Sequence, residues 1–538
     1  MCGLMFDEFA SFAQAACPMR LTFALFRSVV ATSLVATGTW AGAAERTERQ
    51  LSLADCITQA LEHNFDIQIE RYNPVIAEAN LRVVYGDYDP TLSFQAQHDF
   101  NQDPGGRDAQ AREYLGRETE SDTLNTSIRG LLPGGMTYSI SAFAVNTYGI
   151  EPSLTQIGTN LVVVPQEFEN SRAQVLVGEL RQPLLKNFWI DGTRLNVRLR
   201  KKDLQVSDLN LRLRLINTVS SVEAAYYDLI AGRENVKSAE IAFELAKKLY
   251  DENKKRVSVG TMAQLDERQA QAQMAANEAS VIEARRSVDF TQNVLKNLLT
   301  DNYESWHSVE ILPAEPLVAL PADLDDRVGW EQAFTLRPDL HALIIDLERR
   351  DLTTRFLRNQ LFPQLDVFGS VGWQGNGIEF SDAMGQVSDR TAPRHAYGAV
   401  LSFPLSNRRA RENYRASKDE RAQAELRLRQ FRQQVMVGVS DAIQQAQSSF
   451  QRVGATKAAR QFAEEALKAE ETKLANGKST SFEVLRLQRD LTQARFDETR
   501  ALTDYNKALA TVRQRQGATL LKFNLESPKA PAQIGVAK

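Results

Sequence analysis

The chain has 538 residues, with 43% hydrophobic and 25% charged residues, so it can bury a core and is not globally disordered. Lys+Arg 64 against Asp+Glu 68 gives a net charge of -4, which excludes nucleic acid as a bulk electrostatic partner. Five histidines and three cysteines exclude a disulfide scaffold and leave little material for a metal cluster.

Residues 1–43 read as an export signal. Arg20 and Arg27 precede an uncharged, apolar-rich stretch from Ser28 to Thr37, and Ala41-Gly42-Ala43 supplies the small residues that a signal peptidase reads. Asp7 and Glu8 suit such a segment poorly, so translation is expected to start at Met19. Cleavage after Ala43 leaves Cys56 as the one thiol, which cannot form an internal disulfide. No later run of 18 apolar residues follows, so entry into a membrane requires a closed β-barrel.

Prolines then divide the chain. None falls between Leu184 and Leu312, or between Leu405 and Ser527, and proline breaks helix interiors. Each stretch is expected to hold a helical hairpin, 196–298 and 408–516. The long arms, at 1.5 Å per residue, span about 96 and 104 Å. Apolar residues recur at heptad-like spacing through Val219, Val222, Tyr226 and Leu229, and again through Val439, Ile443, Ala446, Phe450 and Val453.

The division repeats. Ala60-Leu61-Glu62-His63-Asn64-Phe65-Asp66-Ile67 parallels Ala333-Phe334-Thr335-Leu336-Arg337-Pro338-Asp339-Leu340. Pro90 parallels Pro363, Gln182-Pro183-Leu184 parallels Phe403-Pro404-Leu405, and Gly260 parallels Gly477. The expected organisation is a first repeat over 44–320 and a second over 321–520, followed by a flexible tail over 521–538. Each repeat holds a short helix, a β segment (91–183, then 364–404) and the long hairpin. Alternating residues mark four membrane-length strands near Thr91–Phe100, Arg172–Arg181, Leu365–Trp373 and Ala396–Phe403. An extra hairpin near Thr123–Val145, turning at Leu132-Pro133-Gly134-Gly135, either extends the barrel or decorates its outer loops. Tyr85, Tyr88, Phe94, Phe100, Tyr138, Phe143, Trp373 and Phe380 are belt aromatics or packing residues. Four strands cannot close around a channel, because about eight fill their own interior. The sheet is therefore soluble, or several subunits pool strands.

The order, spacing and duplication of these motifs resemble the TolC-like outer-membrane efflux proteins across roughly Leu51 to Leu521. Two departures are Phe65, where that family often has proline, and the long first β segment. The resemblance implies a mainly α fold with a membrane β-barrel, in which a homotrimer forms one 12-stranded barrel from four strands per subunit and continues as an α-helical coiled-coil barrel. It implies the outer membrane of a Gram-negative-type bacterium, with the helices in the periplasm. The function implied is a passive export duct, with no catalysis and no cofactor. Its partners are outer-membrane lipid, a periplasmic adaptor and an inner-membrane pump of the RND or ABC type. The competing reading is an exported periplasmic coiled-coil scaffold or adaptor.

Site residues follow from the turns. Val259, Gly260 and Thr261, and Asn476, Gly477 and Lys478, are expected to form hairpin turns, because glycine permits a left-handed backbone. The resemblance makes these turns the adaptor-docking tips. Asp266 and Glu483 lie six residues beyond each glycine and would form carboxylate rings in a trimer, a candidate periplasmic gate, with Arg486 placed to pair with Glu483. The scattered histidines lack ligand spacing, and no phosphate loop or nucleophile elbow is present.

Overall fold

The computed structural model describes residues 47–525 apart from positions 108, 110, 115, 158 and 159. The expected leader over 1–43, the start at Met19 and the tail from Glu526 lie outside the described residues.

The chain opens with a short strand, β1 (Thr47–Leu51), and helix α1 (Leu53–His63). Ser52 caps α1 reciprocally: its hydroxyl accepts the Asp55 amide, and the Asp55 carboxylate accepts the Ser52 amide. The backbone leaves the helical region at Asn64, whose side chain caps α2 (Phe65–Tyr85) and donates to the Leu298 carbonyl. One short helix was expected here and two are present. The second copy breaks at the equivalent place, α6 (Asp326–Leu336) giving way at Arg337 to α7 (Pro338–Asn359). Pro338 stands at the first turn of α7, where its missing N–H costs nothing.

Between α2 and α6 lie the first sheet strands and the first long hairpin. The strands are β2 (Thr91–Gln102), the two-residue pair β3 (Gly106–Arg107) and β4 (Glu113–Tyr114), β5 (Glu118–Leu131), β6 (Thr137–Ile157) and β7 (Asn160–Pro183). The hairpin is α3 (Gly192–Ser258) and α4 (Gln264–Leu299), followed by the single turn α5 (Tyr303–Trp306) and β8 (Val309–Pro313). After α7 come β9 (Gln364–Gly377), α8 (Phe380–Ser388), β10 (Pro393–Ser402), the second hairpin α9 (Arg408–Ala475) and α10 (Ser481–Gln516), and α11 (Thr519–Lys522). The long arms have 67 and 68 residues, about 100 Å each, and both return arms have 36.

The heptad-like stripes are buried. Val219, Val222, Tyr226 and Leu229 on α3 form one core with Cys56, Ile57 and Ile67 from the opening helices, Leu295 and Leu299 from α4, and Ile311 from β8. Burial pushes the Cys56 thiol up to about 12, so the sulfur stays protonated and unreactive. Val439, Ile443 and Ala446 on α9 form a second core with Ala333, Ala508 and Val512. Phe450 stays partly exposed, its ring centroid 5.2 Å from that of Tyr505. β1 pairs in parallel with β8, and the Tyr226 hydroxyl donates to the Leu51 carbonyl at 3.1 Å. The expected tail begins too early: α11 packs on the first core through Leu520, and Phe523 and Leu525 join it.

The main sheet has six strands, in the order β10-β9-β7-β6-β5-β2, all antiparallel. Four of them, β2, β7, β9 and β10, hold the strands read from the sequence, and β5 and β6 are the extra hairpin, here part of the same sheet. The extra hairpin is inserted between β2 and β7, paired with β2 over twelve residues and with β7 along its length. The reason is its turn. Gly134 and Gly135 adopt positive φ (138° and 80°), and the Leu132 amide reaches the Met136 carbonyl at 2.7 Å, so β6 returns beside β5.

Register sorts the side chains by face. One face carries the rows Leu92, Ile128, Ile140; Phe94, Thr126, Ala142, Val175, Trp373; and Ala96, Leu124, Ala144, Ala173, Gly375. Tyr138, Leu180 and Tyr397 form the row nearest the helices. The opposite face carries Ser93, Ser127, Ser141; Gln95, Asn125, Phe143, Gln174, Gln374; and Arg129, Ser139, Glu179, Ser370. Amphipathic helix α8 lies on the apolar face, with Ala383 and Val387 against Ala173, Val175 and Trp373. No described helix is long and apolar enough to cross a membrane. The outer edges of the sheet, β2 and β10, have no partner strand among the described residues.

Candidate functional site at the hairpin tips

Both hairpins turn by the same hydrogen bonds. The Gly260 amide donates to Val257 and the Thr261 amide to Arg256, at 3.0 and 2.9 Å. In the second hairpin Gly477 donates to Leu474 and Lys478 to Lys473, at 3.1 and 2.9 Å. This is the Schellman closure, which requires a left-handed residue after the helix. Gly260 and Gly477 supply it with φ of 76° and 71°. A Cβ at either glycine would meet nothing within 4 Å, so backbone conformation alone selects glycine. Gly477→Ala is expected to weaken its turn by about 1–2 kcal/mol, the penalty of a left-handed L-residue. Hydrogen exchange of the amides from Leu474 to Lys478 should quicken by ~5- to 30-fold, with Gly477→Asn less affected.

Val259 is exposed at the first tip, and Asn476 at the second donates from its side chain to the Thr472 carbonyl. The Thr261 hydroxyl also donates to the Arg256 carbonyl. Exposed Val259, Leu265 and Phe482 place apolar surface beside Lys254, Lys255, Arg256, Lys473 and Lys478. The cations sit mostly at helix C-termini, where the backbone carbonyls favour positive charge.

Asp266 and Glu483 occupy equivalent positions, each the third residue of its return helix. Acids are favoured there by the unpaired amides of the first turn. The Thr480 hydroxyl accepts the Glu483 amide, while the Glu483 carboxylate turns to Arg486 at 2.8 Å. Among the described residues the Asp266 carboxylate has no ion-pair partner; its backbone carbonyl accepts from the Asn253 side chain at 3.4 Å.

Asn253 was not legible as a site residue. It is buried on α3, and its Oδ1 accepts the Ser481 hydroxyl at 3.2 Å, so it joins the first hairpin to the start of α10. Leu249, Leu467, Leu474, Val484, Leu485 and Leu491 close an apolar core around this junction. The two tips are thus neighbours held by one polar clasp and one core. The signal was weak: a lone Asn at a stripe position of a coiled coil.

Glu470 braces the second turn. The Ser479 hydroxyl and the Lys473 ammonium donate to it, at 2.5 and 2.9 Å, and Arg486 adds positive charge, so its carboxyl is held below the usual range. A depressed folded value means stabilisation complete above the unfolded value of 4.5 and lost as pH falls through the folded value. The protection of the tip amides over that in Glu470→Gln is expected to be constant from neutral pH to about 5 and to shrink below it. Hydrogen exchange of both proteins at matched pH checks this.

Among the described residues no group of three His, Cys, Asp or Glu side chains could hold a metal ion.

A family model described as "Outer membrane efflux protein" matches residues 180–300 and 330–518. Among solved structures, the outer-membrane channel OprN has 15% identity and a TM-score of 0.63, covering 87% of this chain and 90% of its own. The CmeC outer membrane channel of Campylobacter jejuni has 13% identity, a TM-score of 0.61 and coverage of 87% and 86%. The outer membrane protein VceC of Vibrio cholerae has 16% identity, a TM-score of 0.61 and coverage of 86% and 96%. No curated protein sequence matches.

Proposed function

Because the chain belongs to the outer membrane efflux protein family, we propose that it works as a homotrimeric exit duct fed from the periplasm. It is an outer-membrane transport protein and not an enzyme. The observation that carries the duct reading is the sheet: in the rows nearer the helices one face is mainly apolar and the other mainly polar, and among the described residues both edges are unpaired. An apolar face suits lipid and a polar face suits a water-filled lumen. Open edges cannot remain in a bilayer, so further copies must close the wall by setting β10 of one subunit against β2 of the next. The long helices then extend from the wall into the periplasm.

At the far end, the paired tips are the docking surface for a periplasmic adaptor, which links the duct to an inner-membrane pump of the RND or ABC type. Val259, Gly260, Thr261, Asn476, Gly477 and Lys478 are the residues offered. Glu483, with Arg486 neutralising it, and Asp266 form the candidate gate. Asp266 is the better source of an unneutralised acidic ring, since Glu483 is already paired. The scaffold reading gives no reason for a sheet with one apolar face.

Membrane fractionation followed by native mass measurement in mild detergent tests the duct. An outer-membrane trimer that conducts ions in planar bilayers supports it. A soluble periplasmic species overturns it.

A further inference from the structure

The notable departure in this chain is the inserted hairpin, β5 and β6. Its side chains follow the same division as the rest of the sheet. Ile128, Leu124, Ile140, Ala142 and Ala144 continue the apolar rows, and Ser127, Asn125 and Ser141 continue the polar ones. Its turn lies at the helix end of the sheet, where the Gln182 side chain donates to the Gly134 carbonyl and Gly135 abuts Asn187. The hairpin therefore starts at the same level as β7, and β6 runs beside β7 along its length. A hairpin decorating an outer loop would need neither feature.

Arc length is compatible with this placement. Strands ~4.8 Å apart and tilted by about 40° each occupy ~6.2 Å of a barrel rim. Six strands cover ~37 Å and four cover ~25 Å. Below the sheet, α2 packs on α3, α3 on α7 and α7 on α9, four helices abreast in each subunit. At 8–10 Å per helix these cover about 32–40 Å. Six strands fit the helical arc beneath them. The match is per subunit, so it does not depend on the number of copies.

We propose that the trimeric duct ends in an 18-stranded wall, about 36 Å across between backbones, rather than a 12-stranded wall of about 24 Å. This rests on the trimer proposed above. A wall of 16 to 18 strands leaves an aqueous channel. Its lumen is lined mainly by amide, hydroxyl and mixed charged side chains, Gln95, Asn125, Gln174, Arg129 and Glu179 among them, with Phe143 in the same row. The cargo it suits is bulky and hydrophilic, of the polypeptide or oligosaccharide class, and the outer membrane is not the narrow point of the path.

Cryo-electron microscopy of the full chain in lipid nanodiscs, with native mass of the same sample, tests this. The expected result is a trimer with 18 strands and a wall near 36 Å. A trimer with 12 strands near 24 Å, the hairpin lying outside it, overturns the inference and leaves the duct standing. A particle that is not a trimer overturns the trimeric reading itself, and the strands per subunit are counted separately in the same map. Neutral polymers of about 20 Å added on the outer side should lower conductance through the wide wall and have no effect on the narrow one.

Discussion

Ile140→Arg is expected to cost about 2–4 kcal/mol per subunit, the price of a cation on the lipid face near mid-bilayer. Assembled protein in the outer membrane should fall steeply, as read by heat-modifiable migration on gels and by urea titration in liposomes. Ser141→Arg, one residue on, puts the same charge on the opposite face, between Ser127 and Leu176. It should be nearly neutral, because that face meets water. Both residues lie in the inserted hairpin, so equal effects would show that the hairpin is outside the bilayer.

The second large effect is expected where the two repeats meet. Glu223 on α3 is fully buried, and its Oε1 accepts from Arg513 of α10 at 2.9 Å and from Lys522 of α11 at 3.1 Å. Its other oxygen has no hydrogen-bond partner. Losing both cations strands a buried carboxylate, so Arg513→Ala with Lys522→Ala should cost about 3–5 kcal/mol. Glu223→Leu should cost less, because Arg513 and Lys522 are partly exposed and can turn to water. Adding Glu223→Leu to the double variant should restore much of the lost stability. Denaturant midpoints of the four proteins check the order. A double variant no weaker than Glu223→Leu would mean that the buried carboxylate is not what these cations compensate.

The helical hairpins were legible because local rules place them. Proline-free stretches, heptad-like stripes and a glycine where the backbone must turn left-handed are all readable within a few residues. The break at Asn64 was harder, since Phe65 carries no helix-start signal and the cap depends on an Asn that also bonds Leu298 far away. The alternation of β5 and β6 was visible, but their place in the sheet was not. Alternation gives the face of a strand and leaves its neighbour open. β7 was seen only from Arg172, because Val162-Val163-Val164 does not alternate. β1, Thr-Glu-Arg-Gln-Leu, is polar and short, and only its partner makes it a strand. At the site, the glycines and the Glu483–Arg486 pair followed from spacing. Asn253 did not, because a clasp between hairpins is a long-range contact that no local pattern encodes.

The pairing of β1 with β8 has a consequence for the order in which the protein takes shape. A chain is made from its N-terminus, yet Thr47–Leu51 has no ladder to join until Val309–Pro313 has emerged. Leu51 also waits for the Tyr226 hydroxyl. The opening segment thus stays unpaired while the whole first sheet segment and first hairpin are produced, and its docking reports that the first repeat is complete. Loop closure over so many residues is slow. Holding strand-rich polypeptide apart during that interval is a demand that this topology makes on whatever escorts it to the membrane.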